Sequence, residues 1–158
     1  MSLGASRNCT SSRGRLSEEM RHLCIGASSV FKTKSVGGDA IDVFDSKTVP
    51  NIDIAEYLMR MAYYIPLTKQ QFLLGVEYID RYLISLNTSL SATSMHRLTA
   101  TAMVLAHKFD CDYPLNDAHY GRIMGLNRDE LMFLQMEFMR RVQYRLMYPE
   151  VLREFAHW

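Results

Sequence analysis

The chain has 158 residues, of which 48% are hydrophobic and 22% are charged, with 18 basic residues against 17 acidic ones. This length suits one compact domain and is too short for two domains of ordinary size. The near-neutral charge leaves no dominant basic stripe, which argues against a nucleic-acid partner bound mainly through its phosphates.

The first residues, 1 to about 15, are polar and rich in serine and arginine, so they offer little apolar surface to offset the entropy of ordering. We expect a disordered tail over 1–15, without the apolar run of a secretory signal. The most apolar run, Leu98 to Ala106, is far shorter than the roughly 20 residues that a membrane-spanning helix needs. These features predict an intracellular protein, in the nucleus, the cytoplasm or both, with no membrane partner.

An N-terminal helix and a linker are predicted for residues 16–48. Ser17 can cap a short helix, because its hydroxyl can accept from a free backbone N–H of the first turn. The apolar residues of this helix that are expected to face inward are Met20, Leu23, Cys24 and Val30. Gly37-Gly38 and the mixed sequence up to Pro50 predict a linker or a loosely packed arm.

Five further helices are predicted between Pro50 and about Tyr144, because apolar residues recur there at helical spacing and the loops between them are short. No segment alternates as a strand does, so the predicted fold class is all-α. The capping signals that mark helix starts are Asn51 or Asp53, Thr68 with Gln71, Asn116, and Asn127 with Glu130.

The third of these helices, from about Thr93 to Phe109, differs from its neighbours. It has no charged residue between Leu98 and Ala106, and many of its residues are small. A helix that is apolar all round has to be covered on several sides, and small residues let neighbouring helices approach closely. We therefore predict that it forms the centre of the domain.

Four stretches resemble the cyclin family, and within it the single-box P/U-type cyclins, in their order and spacing. They are Tyr78-Ile79-Asp80-Arg81-Tyr82-Leu83, His96-Arg97-Leu98 through Ala106-His107-Lys108-Phe109, Leu115 to Leu126, and Glu130-Leu131 through Tyr144-Arg145-Leu146. The resemblance implies a five-helix cyclin box over 49–147, with the N-terminal helix and linker before it and a C-terminal extension over 148–158.

This resemblance implies a regulatory subunit that binds and allosterically activates a cyclin-dependent protein kinase. It implies no enzymatic activity, no cofactor and no small-molecule substrate. In the family, a lysine at the end of the third box helix and a glutamate on the fifth contact the kinase, and Lys108 and Glu137 match these positions. Phe109 is expected to add apolar contact. Two other interpretations remain open: Lys108 as a charge that compensates the helix dipole, and Glu137 in an intramolecular salt bridge with Arg140, Arg141 or Lys108.

Asp80 and Asn51 are predicted to be buried polar residues with a structural role. In many cyclins the matching aspartate pairs with an arginine ahead of the first box helix, and Asn51 occupies that place here. We expect Asp80 to accept hydrogen bonds from Asn51 or from a neighbouring backbone group instead. The sequence around Asn51 also lacks the substrate-docking motif of cell-cycle cyclins, so that property is not carried over.

Two alternatives from other functional classes are testable. A transcription-factor-like adapter on a cyclin fold is disfavoured by the single box and the balanced charge. A metalloenzyme would draw its ligands from one short segment, which contains His107, Asp110, Cys111, Asp112 and His119. Structural zinc sites favour two regularly spaced pairs of ligands, and this segment does not provide them, so we predict no metal.

Overall fold

The computed structural model describes residues 15–34 and 43–147, and within these ranges the chain forms six α-helices and no β-strand. The helices are α1 (Glu18–Lys34), α2 (Ile54–Tyr64), α3 (Lys69–Leu86), α4 (Met95–Asp110), α5 (Asp117–Met124) and α6 (Arg128–Arg141). The predicted all-α class is confirmed. The expectations for the tail before Arg15, for Gly37-Gly38 and for the extension over 148–158 fall outside the described residues.

Side-chain caps begin five of the helices, as the sequence predicts, and the first is Ser17, whose hydroxyl accepts from the backbone N–H of Met20 in α1 at 3.1 Å. Asp53, rather than Asn51, caps α2, and Thr68 and Gln71 form both hydrogen bonds of a capping box on α3. Asn116 caps α5 and Asn127 caps α6, each by accepting from the backbone N–H three residues further on. A cap satisfies backbone donors that no helical carbonyl reaches, so these residues fix where each helix begins.

Helix α4 is the centre of the fold. Every residue from Met95 to His107 is buried except Arg97, whose guanidinium pairs with Glu130 of α6. The helix packs against α2, α3 and α6, so it is covered on several sides, as its small uncharged residues predict. No helix in the described part of the chain is long and apolar enough to cross a membrane.

Helix α1 is longer than the short helix expected, and its inward face differs at one position. Met20 and Cys24 are buried and Leu23 is half-buried, but Val30 is 45% exposed, so its predicted inward position is wrong. Phe31 is buried in its place. The buried positions recur at three- and four-residue intervals, and residue 31 continues that series where residue 30 does not.

The segment that leads from residue 43 into α2 is not the loosely packed arm expected. Phe44 is fully buried, with its ring 5.1 Å from the ring of Tyr82 and 6.3 Å from that of Phe138, both edge to face. Behind it, the backbone N–H of Ser46 donates to the carbonyl of Thr93 at 3.0 Å. One aromatic side chain therefore ties this segment to the core between α3 and α6.

Candidate functional site

The site is built around Lys108, in the last turn of α4, whose side chain is only 29% exposed. Its ammonium donates to Asp117 Oδ1 of α5 at 2.5 Å and to Gln135 Oε1 of α6 at 2.8 Å. The Gln135 amide donates in turn to the same Asp117 oxygen at 3.1 Å. Three side chains from three helices thus form a closed set of hydrogen bonds, which we call the Lys108 triad (Lys108, Asp117 and Gln135).

The hydrogen bonds and the positive charge within the triad keep Asp117 ionised although its carboxyl is partly buried. Burial alone would raise the pKa of the Asp117 carboxyl, but hydrogen bonds from Lys108 and Gln135, with the charge of Lys108, hold that pKa below its usual value. The Lys108 ammonium also lies 5.7 Å from the ring centroid of Tyr120, within cation–π range. The positive charge is therefore compensated on two sides.

Beneath the triad, a buried hydrogen-bond network fixes the loop between α4 and α5. The hydroxyl of Tyr120 lies 2.6 Å from Nδ1 of His107 and accepts from the backbone N–H of Leu115 at 3.2 Å. Both side chains are fully buried. This network holds the end of α4 against the start of α5, and so holds Lys108 close to Asp117.

Glu137 does not join this set. Its side chain is 15% exposed and pairs with Arg140 on the same helix, at 2.6 Å. Because residues two apart in an α-helix point about 200° apart, Glu137 faces the opposite edge of α6 from Gln135. The salt bridge with Arg140 that the sequence left open is formed, and the residue that meets Lys108 is Gln135.

Between these two edges, α6 carries an exposed strip of large apolar side chains, the apolar band (Met132, Phe133 and Met136). Their exposed fractions are 38%, 52% and 64%. Phe109, the neighbour of Lys108, is 45% exposed. Large apolar side chains that lie together on a surface characterise interaction sites, and here they adjoin a polar group.

Sequence reasoning missed two residues of the triad, Asp117 and Gln135, and Gln135 is the less obvious of the two. It carries no charge, and so it gave no electrostatic signal. A signal was nevertheless present: Gln135 follows Leu131 by four positions and neighbours Leu134, so it lies on the shoulder of the buried stripe. A polar residue there has to find a partner, and the facing helix α4 supplies Lys108.

Asn51 and Asp80 differ in their placement from the expectation of two buried polar residues. Asn51 is exposed, so its predicted burial is wrong, and Asp80 is half-buried. The next residue in this motif, Arg81, connects α3 to the chain that follows α6. Its guanidinium donates to the carbonyls of Arg145 at 2.7 Å and Met147 at 2.8 Å.

The side chains considered for metal binding differ in their exposure to solvent. His107 is buried against Tyr120, whereas Asp112 and His119 are exposed. Within the described ranges, no group of three or more histidine, cysteine, aspartate or glutamate side chains is arranged to hold a metal ion.

Comparison with known families identifies the class of protein to which this chain belongs. The sequence model of the cyclin family matches residues 16–146, which is most of the chain. The chain therefore belongs to the cyclin family.

Within the family, the similar proteins are P/U-type cyclins. Cyclin-U3-1 of Arabidopsis thaliana is 34% identical over 108 residues, which are 68% of this chain and 49% of that protein. The PHO85 cyclin PHO80 of Saccharomyces cerevisiae is 32% identical over 104 residues, covering 65% of this chain and 36% of the relative. The Nuc-1 negative regulatory protein preg of Neurospora crassa is 33% identical over 111 residues, which are 69% of this chain and 23% of that protein. The chain thus spans about half or less of the length of these relatives.

Proposed function

We propose that this cyclin binds a cyclin-dependent protein kinase and activates it allosterically, without catalysing a reaction itself. The observation that carries the proposal is the surface at the end of α4 and along α6, where the Lys108 triad adjoins Phe109 and the apolar band. Membership of the cyclin family and the similarity to a PHO85 cyclin support the class of partner.

The two kinds of side chain have different tasks in this proposal. The apolar band and Phe109 supply most of the affinity, because burying large apolar side chains at the centre of an interface contributes more than exposed polar contacts do. The polar triad supplies orientation, since ammonium and amide groups bind acceptors and donors only at defined angles. The surface fits a docked amphipathic helix whose end presents backbone carbonyls to Lys108.

Activation follows from a shift between two conformations of the kinase. A ligand changes such an equilibrium only by the difference between its affinities for the two states. We propose that this surface fits the regulatory helix of the kinase in its active position, where the kinase's own lysine–glutamate ion pair forms. Binding energy from the cyclin is then converted into a larger active fraction of kinase.

The capture experiment measures binding and activation together. The purified chain is mixed separately with PHO85 and with a panel of purified cyclin-dependent kinases, and both the dissociation constant and the phosphorylation rate are recorded. We expect at least one kinase to bind and to turn over faster. If none binds, the proposed function is wrong, and salt-sensitive DNA binding in the same preparation would favour the adapter alternative.

Two matched variants locate the surface. Met136→Glu places a charge in the apolar band and is expected to weaken kinase binding by about tenfold or more, because a charge would be desolvated there. Ile84→Glu makes the same kind of change on α3, where Ile84 is 79% exposed, and is expected to bind normally. Equal effects of the two variants would show that the kinase does not use the α6 surface.

A further inference from the structure

Asp117 is not among the residues predicted from the sequence, yet its carboxylate contacts both other members of the triad. Oδ1 of Asp117 accepts from the Lys108 ammonium at 2.5 Å and from the Gln135 amide at 3.1 Å. We propose that Asp117 is a positioning residue, which orders the Lys108 side chain for partner binding before the partner arrives. This inference rests on the proposed function of the surface.

A lysine side chain has a long flexible stem and loses much rotamer freedom when a partner fixes it. In this chain that loss is already incurred on folding, because Lys108 is held at its nitrogen by two bonds. The ammonium has three N–H donors, and the triad uses two of them. One donor remains for an acceptor on the partner, and a pre-ordered donor binds it at a lower entropic cost.

Gln135 is itself fixed, which makes the arrangement rigid on both sides of Lys108. Its side chain is 5% exposed, and its amide also donates to the Leu131 carbonyl of its own helix at 3.2 Å. Gln135 therefore presents its oxygen to Lys108 in one orientation. Asp117, in the first turn of α5, supplies the second fixed point from another direction.

The negative charge of Asp117 also determines which acceptor suits Lys108. With its charge compensated, Lys108 offers a hydrogen bond without a net positive field, which fits the neutral carbonyl oxygens at the end of a docked helix. A carboxylate on the partner would approach Asp117 as well as Lys108 and would be repelled. The triad thus selects a neutral backbone acceptor over an acidic side chain.

The competing explanation is that Lys108 and Asp117 form a salt bridge that only stabilises the fold. The two explanations differ in how the residues couple. If Asp117 acts through Lys108, its removal affects partner binding only while Lys108 is present. If it acts on the fold alone, removing Asp117 has the same effect on binding with or without Lys108.

A double-mutant cycle on the dissociation constant for PHO85, and for each kinase that binds in the capture experiment, tests this. Asp117→Ala is expected to raise the dissociation constant about tenfold, and Asp117→Asn, which keeps an acceptor, by less than about threefold. In the Lys108→Met background, Asp117→Ala should change it little. Asp112→Ala, at an exposed aspartate nearby, is the charge-matched control.

Side-chain NMR relaxation of Lys108 in the free chain supplies a measurement that needs no kinase. The ammonium group should become more mobile in Asp117→Ala and remain ordered in Asp117→Asn. Unchanged mobility, or an equal effect of Asp117→Ala in both backgrounds, overturns the positioning role while leaving the proposed function intact. If Lys108→Met alone binds every kinase as the wild type does, the assignment of Lys108 to the kinase surface is wrong as well.

Discussion

Nδ1 of His107 and the hydroxyl oxygen of Tyr120 lie 2.6 Å apart, and neither side chain is exposed to solvent. This contact joins the last turn of α4 to the middle of α5, and the Tyr120 ring centroid lies 5.7 Å from the Lys108 ammonium. Nε2 of His107 is buried and has no hydrogen-bond partner among the residues that the structure describes. The hydrogen bond with the Tyr120 hydroxyl thus offsets the cost of burying this polar imidazole.

Tyr120→Phe is therefore expected to destabilise the fold although it removes a single oxygen atom. Nδ1 of His107 and the N–H of Leu115 would both lose the Tyr120 hydroxyl as their hydrogen-bond partner, at a cost of about 1 to 3 kcal/mol. The measurement is the free energy of unfolding in urea. Tyr113→Phe is the matched control, because Tyr113 is 77% exposed, and equal stabilities of the two variants would contradict the network.

The stability of the protein is expected to fall on mild acidification because of His107. Burial lowers the pKa of His107 to about 4, against the raising effect of Asp110. The unfolded imidazole takes up a proton near pH 6.5, whereas the folded one does so only near 4, so the unfolded state binds more protons between these values. The free energy of unfolding should thus decrease from pH 6.5 to 4, by on the order of 2 to 3 kcal/mol.

The pH dependence is checked by urea unfolding at several pH values with wild type and His107→Gln. The variant should show a shallower slope between pH 6.5 and 4, whatever its absolute stability. His119→Gln, at an exposed histidine, is the control. The fold lowers the pKa of Asp117 below 3.8, so Asp117 adds to this decrease only near pH 4, and it does so equally in wild type and His107→Gln. Parallel slopes for wild type and His107→Gln would rule out the imidazole as the source.

Much of the fold was predictable, because it depends on local signals. Thr68 and Gln71 begin α3 through a pattern of two residues three apart, and Asn116 and Asn127 each cap a helix by a single side chain. The burial of α4 on all sides follows from a stretch without charge. Phe44 was not predictable in this way, because nothing within its own segment specifies a contact with Tyr82 and Phe138, which are distant in sequence.

The site was predictable only in part, for a related reason. Lys108 and Phe109 were chosen through the resemblance to the cyclin family, and their role as kinase contacts stays a prediction. The partner of Lys108 depends on the rotation of α6 about its own axis, and two positions along a helix change the direction of a side chain by about 200°. That rotation is fixed by the packing of Leu131, Leu134 and Phe138, and it brings Gln135, not Glu137, to Lys108.

Arg81 is expected to hold the segment that follows α6 in one ordered conformation. Its guanidinium binds two carbonyls, those of Arg145 and Met147, and lies 5.5 Å from the ring centroid of Tyr78. Arg81→Lys keeps the charge but loses the two-donor fork, so it should accelerate amide hydrogen exchange over residues 143–147. Arg122→Lys, at an exposed arginine, is the control, and equal exchange in both variants would contradict this role.

Two glycines, each within a helix, are expected to respond in opposite directions to the same substitution. A Cβ added at Gly75 of α3 would lie 2.5 Å from Sδ of Met103 and 3.4 Å from its Cα, where α3 meets α4. A Cβ added at Gly26 of α1 would meet no atom of residues 15–34 and 43–147 within 4 Å. Alanine favours a helix over glycine by about 0.5 to 1 kcal/mol, so Gly26→Ala should stabilise the protein by that amount.

At Gly75 the same gain is opposed by the contact with Met103, and overpacking of this kind costs about 1 to 3 kcal/mol. Gly75→Ala should therefore lower the free energy of unfolding. The double variant Gly75→Ala/Met103→Ala should lose less stability than the sum of the losses in the two single variants. Urea unfolding of the four variants measures these differences. A stabilising Gly75→Ala would mean that the thioether of Met103 turns aside at little cost, because the new methyl group at 3.4 Å from the Met103 Cα makes only an ordinary van der Waals contact with the α4 backbone.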